Sequence, residues 1–237
     1  RQRQMCIRDR GYPELAVKNL AELTGIDFKN SEDLIAATSD CGAYMTLSSA
    51  IKGLAVKMTK VCNDIRLLAS GPRCGLKEIN LPQLQPGSSI MPGKVNPVAA
   101  EVANQASFLA IGLDTTVMLA ASAGQLELNV MEPVITFALY TQMKVMTNAC
   151  DTLRTKLVEG VTANTERCKD YVMNSIGIVT LLKPHFGYQK CAAIAKEGYT
   201  TGKSLHQIVV DEQHLMTQAE WDATFNTQNL IHPKFVK

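Results

Sequence analysis

Aromatic side chains are scarce, at 5% of 237 residues with a single tryptophan, so any core must be built from aliphatic groups in one large or two modest domains. Charge of one sign is also lacking. Acidic and basic residues are mixed throughout and the formal net charge is +2, which excludes a broad basic face for nucleic acid or a membrane surface. Any anionic ligand must therefore be held locally. Polar residues interrupt even the most apolar windows before the roughly 20 residues needed to cross a bilayer, so a soluble chain is expected. The seven cysteines show no CxxC spacing. Several of them (Cys41, Cys62, Cys150) fall in apolar helical patterns where a thiol acts as a small hydrophobe, and a reducing, cytoplasmic setting without a disulfide framework is expected. The four histidines, His185, His206, His214 and His232, lack HExxH or Cys/His ligand spacing. No metal and no cofactor are expected.

What is present divides into three textures. Residues 1–10, RQRQMCIRDR, have no apolar h-region and mix both charges, which fits neither a signal nor a transit peptide. The stretch from Met5 to Asp9 is similar to a translated sequencing adapter, and the segment is read as non-native. Residues 11–160 carry long helical patterns. Asn30 and Ser31 offer N-caps, Glu32 and Asp33 follow in the first turn, and apolar positions at Leu34, Cys41, Met45, Ser48, Ile51, Ala55, Met58, Cys62, Ile65 and Leu68 keep one seam along a helix that Ser70, Gly71 and Pro72 stop. A Gly- and Pro-rich loop fills 71–97. A second helix is expected from Pro97 as a first-turn residue, through Glu101, Val102, Gln105, Leu109 and Thr116 toward Ala123. A third carries Val134, Ala138, Met143, Met146, Cys150 and Leu153 to about Leu157.

Residues 161–237 read as a small separate helical domain, punctuated by Pro184, Gly187, Gly198 and Gly202, with a capping box from Thr217 to Glu220. With no regular alternation of strands and helices the class is all-α. Long apolar stripes of this width need partner helices, so an oligomeric bundle is expected.

The chemistry sits in Gly87 to Pro97, GSSIMPGKVNP. It offers adjacent hydroxyls, two glycines that free the backbone, one cation and one amide, all ahead of a helix N-terminus, a setting suited to a carboxylate or a developing oxyanion. The segment resembles the GSSxMPxKxN signature of the aspartase/fumarase superfamily at every defined position, and the likeness runs from Gly11 to His232. Argininosuccinate and adenylosuccinate lyases are similar only in looser form. The segments Leu128 to Ile135, Asn174 to Thr180 and Gln228 to Pro233 resemble the aspartase branch more than class II fumarases, while Pro184 to Tyr188 decides nothing.

That resemblance implies a long-helix bundle followed by a small helical domain, and reversible elimination of ammonia from L-aspartate to give fumarate. It implies Ser88 as general base, Ser89, Lys94 and Asn96 as ligands of the substrate carboxylates, and Glu101 as a partner that orients a histidine from elsewhere in the site. Ala99 and Ala100 depart from the residues that related enzymes place before this glutamate. The superfamily assembles each site from three segments on three subunits of a homotetramer. Only the third is expected here, so the chain alone is expected to be inactive. The competing readings are a class II fumarate hydratase and a noncatalytic helical interaction fragment, as in members recruited as lens crystallins.

Overall fold

The computed structural model describes residues 11–88 and 90–232. The leading segment read above as non-native, Ser89, and residues 233–237 lie outside the described residues. The chain is all-α: among the described residues the regular strands are the two-residue segments Ile79–Asn80 and Thr162–Ala163. It divides into two compact units at Thr162 and Ala163.

Helix α1, Tyr12–Thr24, was not anticipated, although Pro13 near its start and Gly25 (φ 71°) at its C-cap mark both ends in the usual proline-first, glycine-last order. Helix α2 spans Gly42–Leu68 and starts later than the Asn30 and Ser31 caps suggest. Asp33 Oδ1 instead accepts the backbone N–H groups of Ile35 and Ala36 at 2.9 and 3.0 Å, a 3₁₀ turn covers Ala36–Thr38, and Asp40 accepts the Gly42 N–H at 2.8 Å. Such local side-chain bonds offer the backbone an alternative to helix. Beyond that point most of the seam holds: Ser48, Ala55, Met58 and Cys62 are buried, with Ile51 and Ile65 packed on the same cluster, while Met45 is exposed.

Helix α3, Val98–Ser122, lies between α2 and α4, Glu132–Lys156, and packs on both. Pro97 is its N-cap rather than a first-turn residue. Its buried face is made of small residues. Val102 and Leu109 are about half exposed, whereas Ala99, Ala100, Ala103, Ser107, Ala110, Val117 and Ala120 are buried. A helix flanked on two sides packs most closely through small side chains, which bring interhelical axes to the short end of the usual 8–10 Å. Large residues are thereby displaced outward. On α4 the buried positions are Ile135, Ala138, Leu139, Gln142, Met146 and Ala149, so Ala138 and Met146 of the expected stripe are inside and Met143 is not.

By length and composition α3 is apolar enough to cross a membrane, although Glu101, Asn104, Gln105 and Asp114 interrupt its apolar sequence. It also buries Asp114, whose carboxylate accepts from Ser48 Oγ at 2.7 Å and Ser49 Oγ at 3.4 Å and pairs with Lys52 across α2. Burial pushes the Asp114 carboxyl upward, but the bonds from Lys52, Ser48 and Ser49 outweigh it and hold the pKa below the ordinary carboxylate value. A second polar clamp closes the α3–α4 connection. Fully buried Asn129 donates to the carbonyls of Ala120 and Ala121 at 3.0 and 3.1 Å and accepts the Met131 N–H at 2.8 Å. Its own N–H donates to the Thr38 carbonyl at 3.0 Å.

The second unit contains α5 (Thr165–Met173), α6 (Lys183–Thr201), α7 (Gln218–Thr224) and α8 (Thr227–Ile231). Its core gathers Ile178, Leu182, Cys191, Ile194, Ile208, Val209, Trp221 and Phe225. Gly187 breaks the helical path of α6 at φ 72°, and Gly202 caps it at φ 72°. The expected capping box is present: Glu220 accepts the Thr217 N–H at 2.8 Å, and Thr217 Oγ1 accepts the Glu220 N–H at 3.3 Å.

Candidate active site

The Gly87–Pro97 segment is a loop pinned at its neck. Asn96 Nδ2 donates to the Gly87 carbonyl at 2.6 Å. A Cβ on Gly87 would fall 1.6 Å from the Lys94 carbonyl oxygen, so this approach requires glycine. Between these points Gly93 adopts φ 81°, which lets the Lys94 N–H reach the Met91 carbonyl at 3.3 Å.

Inside the loop Ser88 Oγ accepts the backbone N–H groups of Ile90 and Met91, each at 3.1 Å. Two oriented donors on one hydroxyl oxygen favour its negatively charged form. Ser89, expected beside it, lies outside the described residues.

Lys94, Asn96 and Glu101 line one cavity of about 660 Å³, walled on the other side by Arg66, Ala69, Ser70 and Lys77. Ser88 is not among the residues lining that cavity. Among the described residues no partner within hydrogen-bond or ion-pair reach engages the side chains of Lys94, Glu101 or Arg66. Asn96 has spent one of its two amide hydrogens on the neck, leaving one N–H and the carbonyl oxygen for a ligand. Glu101 sits in the first turn of α3, and no side chain caps the helix start. Ala99 and Ala100, the departures from related sequences, belong to the core cluster shared by α2 and α3.

Sequence reasoning missed Arg66 and Lys77. Arg66 lies in the last turn of α2, and Lys77 falls within the Gly- and Pro-rich loop of 71–97. The punctuation Ser70-Gly-Pro-Arg-Cys-Gly75 was the available signal, since it folds back compactly: Ser70 Oγ accepts the Leu76 N–H at 3.1 Å and the Ser70 carbonyl accepts the Lys77 N–H at 2.8 Å. No cluster of three or more His, Cys, Asp or Glu residues gathers among the described residues.

The described residues thus hold a serine that accepts two backbone N–H groups and, within the same helical unit, a cavity lined by Arg66, Lys77 and Lys94. The family described as Lyase matches residues 4–112, and that described as Fumarase C C-terminus matches residues 178–232; the first match takes in part of the segment read as non-native. An aspartate ammonia-lyase of Escherichia coli is 57% identical over 224 residues, which cover 94% of this chain and 47% of that protein. Two crystal structures share the fold. One is the fumarate lyase:delta crystallin of Brucella melitensis bound to cobalt, at TM-score 0.86 and 40% identity over 91% of this chain and 46% of that one. The other is the class II fumarase of Schistosoma mansoni, at TM-score 0.85 and 31% identity over 96% and 50%. The chain belongs to the aspartase/fumarase superfamily. It spans about half the length of the curated relatives it matches.

Proposed function

We propose that this chain is the part of an aspartate ammonia-lyase that carries the catalytic loop. The observation that carries the reading is the pair of backbone N–H groups on Ser88 Oγ within a loop whose other polar groups, Lys94 and Asn96, face a cation-lined cavity. The 57% identity to the Escherichia coli protein supports the choice of branch.

The chemistry follows from carbon acidity. A hydrogen on the carbon beside a carboxylate is weakly acidic, and its removal builds a second negative charge on that carboxylate. Ser88, held as an alkoxide by the Ile90 and Met91 donors, takes that proton. Lys94 and the remaining N–H of Asn96 meet the growing charge as a cation and an oriented donor. The electron pair then forms the double bond as the neighbouring C–N bond breaks, giving fumarate and ammonia. Glu101 orients a basic group supplied from outside the described residues. A homotetramer completes the site with two further segments, and the small unit from Ala163 onward is a separate domain of that assembly.

The test joins this chain to the remaining length of its relatives and follows fumarate absorbance with L-aspartate or L-malate supplied separately. Turnover of aspartate far above malate is expected. Preference for malate assigns the chain to the hydratase branch, and no turnover of either by a folded assembly favours a noncatalytic scaffold.

A further inference from the structure

Where the last turns of α2 meet the first turns of α3, the packing is made by Met58, Cys62, Ala99, Ala100 and Ala103, and one polar contact crosses it. Asn104 is buried, at 3% exposure, and its Nδ2 donates to Oδ1 of Asn63 at 2.8 Å. Asn104 Oδ1 is itself buried and has no hydrogen-bond partner among the described residues. Such an acceptor has given up water for nothing, so it lowers stability where the similarly branched leucine would not. Its position along the helices supplies a reason for it. Lys52 pairs with Asp114 and Asn63 with Asn104, so numbers rise on α2 as they fall on α3 and the two helices run antiparallel. One turn beyond the asparagine pair come Arg66 on α2 and Glu101 on α3, each three residues from its asparagine and therefore on the same face of its helix. Both line the cavity. Alanines pack closely but are too alike to fix which turn of α3 meets which turn of α2. A bond between two particular amides does fix it, as a single buried polar residue sets register in other helix pairs.

We infer that Asn104, through its bond to Asn63, is a positioning residue: it sets the register of α3 on α2 and thereby the height at which Glu101 stands in the cavity wall. This rests on the ammonia-lyase reading above, in which Glu101 orients a basic group. The arrangement trades stability for a defined site, so an apolar replacement separates the two properties. Asn63 is exposed, and its oxygen rehydrates when the Asn104 amide is removed.

The test compares Asn104→Leu, Asn63→Ala and Asn63→Asp, the last of which keeps the accepting oxygen. In the 237-residue chain, Ile65 packs on the cluster that holds Ala99, Ala100 and Ala103, and nuclear Overhauser contacts among these methyl groups report the register. The parent and Asn63→Asp should share a single set. Asn104→Leu and Asn63→Ala should show a second set or a change of alanine partner, while the urea midpoint of Asn104→Leu stays level or rises. In the assembled enzyme, Asn104→Leu and Asn63→Ala should lower kcat about ten- to hundredfold, the scale of a misplacement of about 1 Å. Aspartate affinity should stay within about twofold of the parent, since Lys94 and Asn96 stand on the loop rather than on α3, and Asn63→Asp should keep the parental kcat. Methyl contacts unchanged in both Asn104→Leu and Asn63→Ala overturn the inference. So does a fall in kcat that tracks a loss of stability or that Asn63→Asp shares. Absence of fumarate release by the assembled parent counts against the ammonia-lyase reading alone, because the methyl contacts are read without substrate.

Discussion

Asn96 Nδ2 and the Gly87 carbonyl, 2.6 Å apart, tie together the two ends of the signature loop. The tip between them carries exposed Ile90 and Met91, so the neck rather than packing fixes the loop's shape. Gly87→Ala places a methyl where the Lys94 carbonyl stands, and the neck must open. Asn96→Ala removes only the clasp, a hydrogen bond with a net worth of about 0.5–1.5 kcal/mol. Hydrogen exchange at the Ile90 and Met91 amides should speed up by roughly three- to tenfold in Asn96→Ala and by more in Gly87→Ala. Unchanged exchange in both would show that the loop keeps its form without the neck.

Binding and chemistry separate within the loop. In the assembled enzyme, Ser88→Ala should leave aspartate affinity nearly intact and lower kcat by about 10²- to 10⁴-fold, the usual contribution of a general base. Lys94→Ala should weaken both binding and turnover, because a cation facing a carboxylate acts in the ground state and more strongly as charge grows. Direct binding measurements must accompany the rates. A near-normal kcat in folded Ser88→Ala would remove Ser88 as the base.

The Asp114 cluster predicts an acid limit on the bundle. Its folded pKa is held below the ordinary 3.8, so it contributes stability that is present above that value and lost as pH falls through the lower folded value. Asp114→Asn should destabilise the chain at pH 7 by about 1–3 kcal/mol, with Lys52 exposed enough to rehydrate. The gap between variant and parent in urea unfolding should narrow as pH drops below 4. A constant gap across pH would mean that packing rather than ionisation supplies the effect.

Asn129→Ala removes partners from the Ala120 and Ala121 carbonyls and the Met131 N–H at once. Buried groups left unpaired cost about 1–3 kcal/mol each, partly relieved by local relaxation. A loss of roughly 2–4 kcal/mol in urea unfolding is expected, with Asn129→Asp only partly compensating because it supplies no donor. A loss under 1 kcal/mol would mean that the connection has an alternative packing.

The sequence made some features legible because one chemical rule governed them. The Thr217 to Glu220 capping box and the Ser48-Ala55-Met58-Cys62 seam each depend on neighbours along one helix, and both stand as read. The sequence reading gave the course of α3 but not its buried face, because packing on two sides selects the alanines and leaves Val102 and Leu109 half exposed. The start of α2 failed for a related reason. Asp33 and Asp40 each have a backbone bond available outside the helix, and pattern cannot say which competitor wins. At the site, Lys94, Asn96 and Glu101, which the family resemblance singled out, line one cavity. Arg66 and Lys77 reach it only because the Ser70–Lys77 turn doubles back, a three-dimensional fact that leaves no period in the sequence.

The two N–H groups on Ser88 also carry a stereochemical consequence. An alkoxide oxygen has three lone pairs, and here the Ile90 and Met91 amides occupy two of them. With Ser88 as the proposed base, one direction is left for a proton to arrive, and a substrate held in one pose by Lys94 and Asn96 can offer it only one of its two methylene hydrogens. A substrate bearing deuterium at one of its two methylene positions should therefore keep or lose the label completely according to which position was marked, with no mixture between the two outcomes.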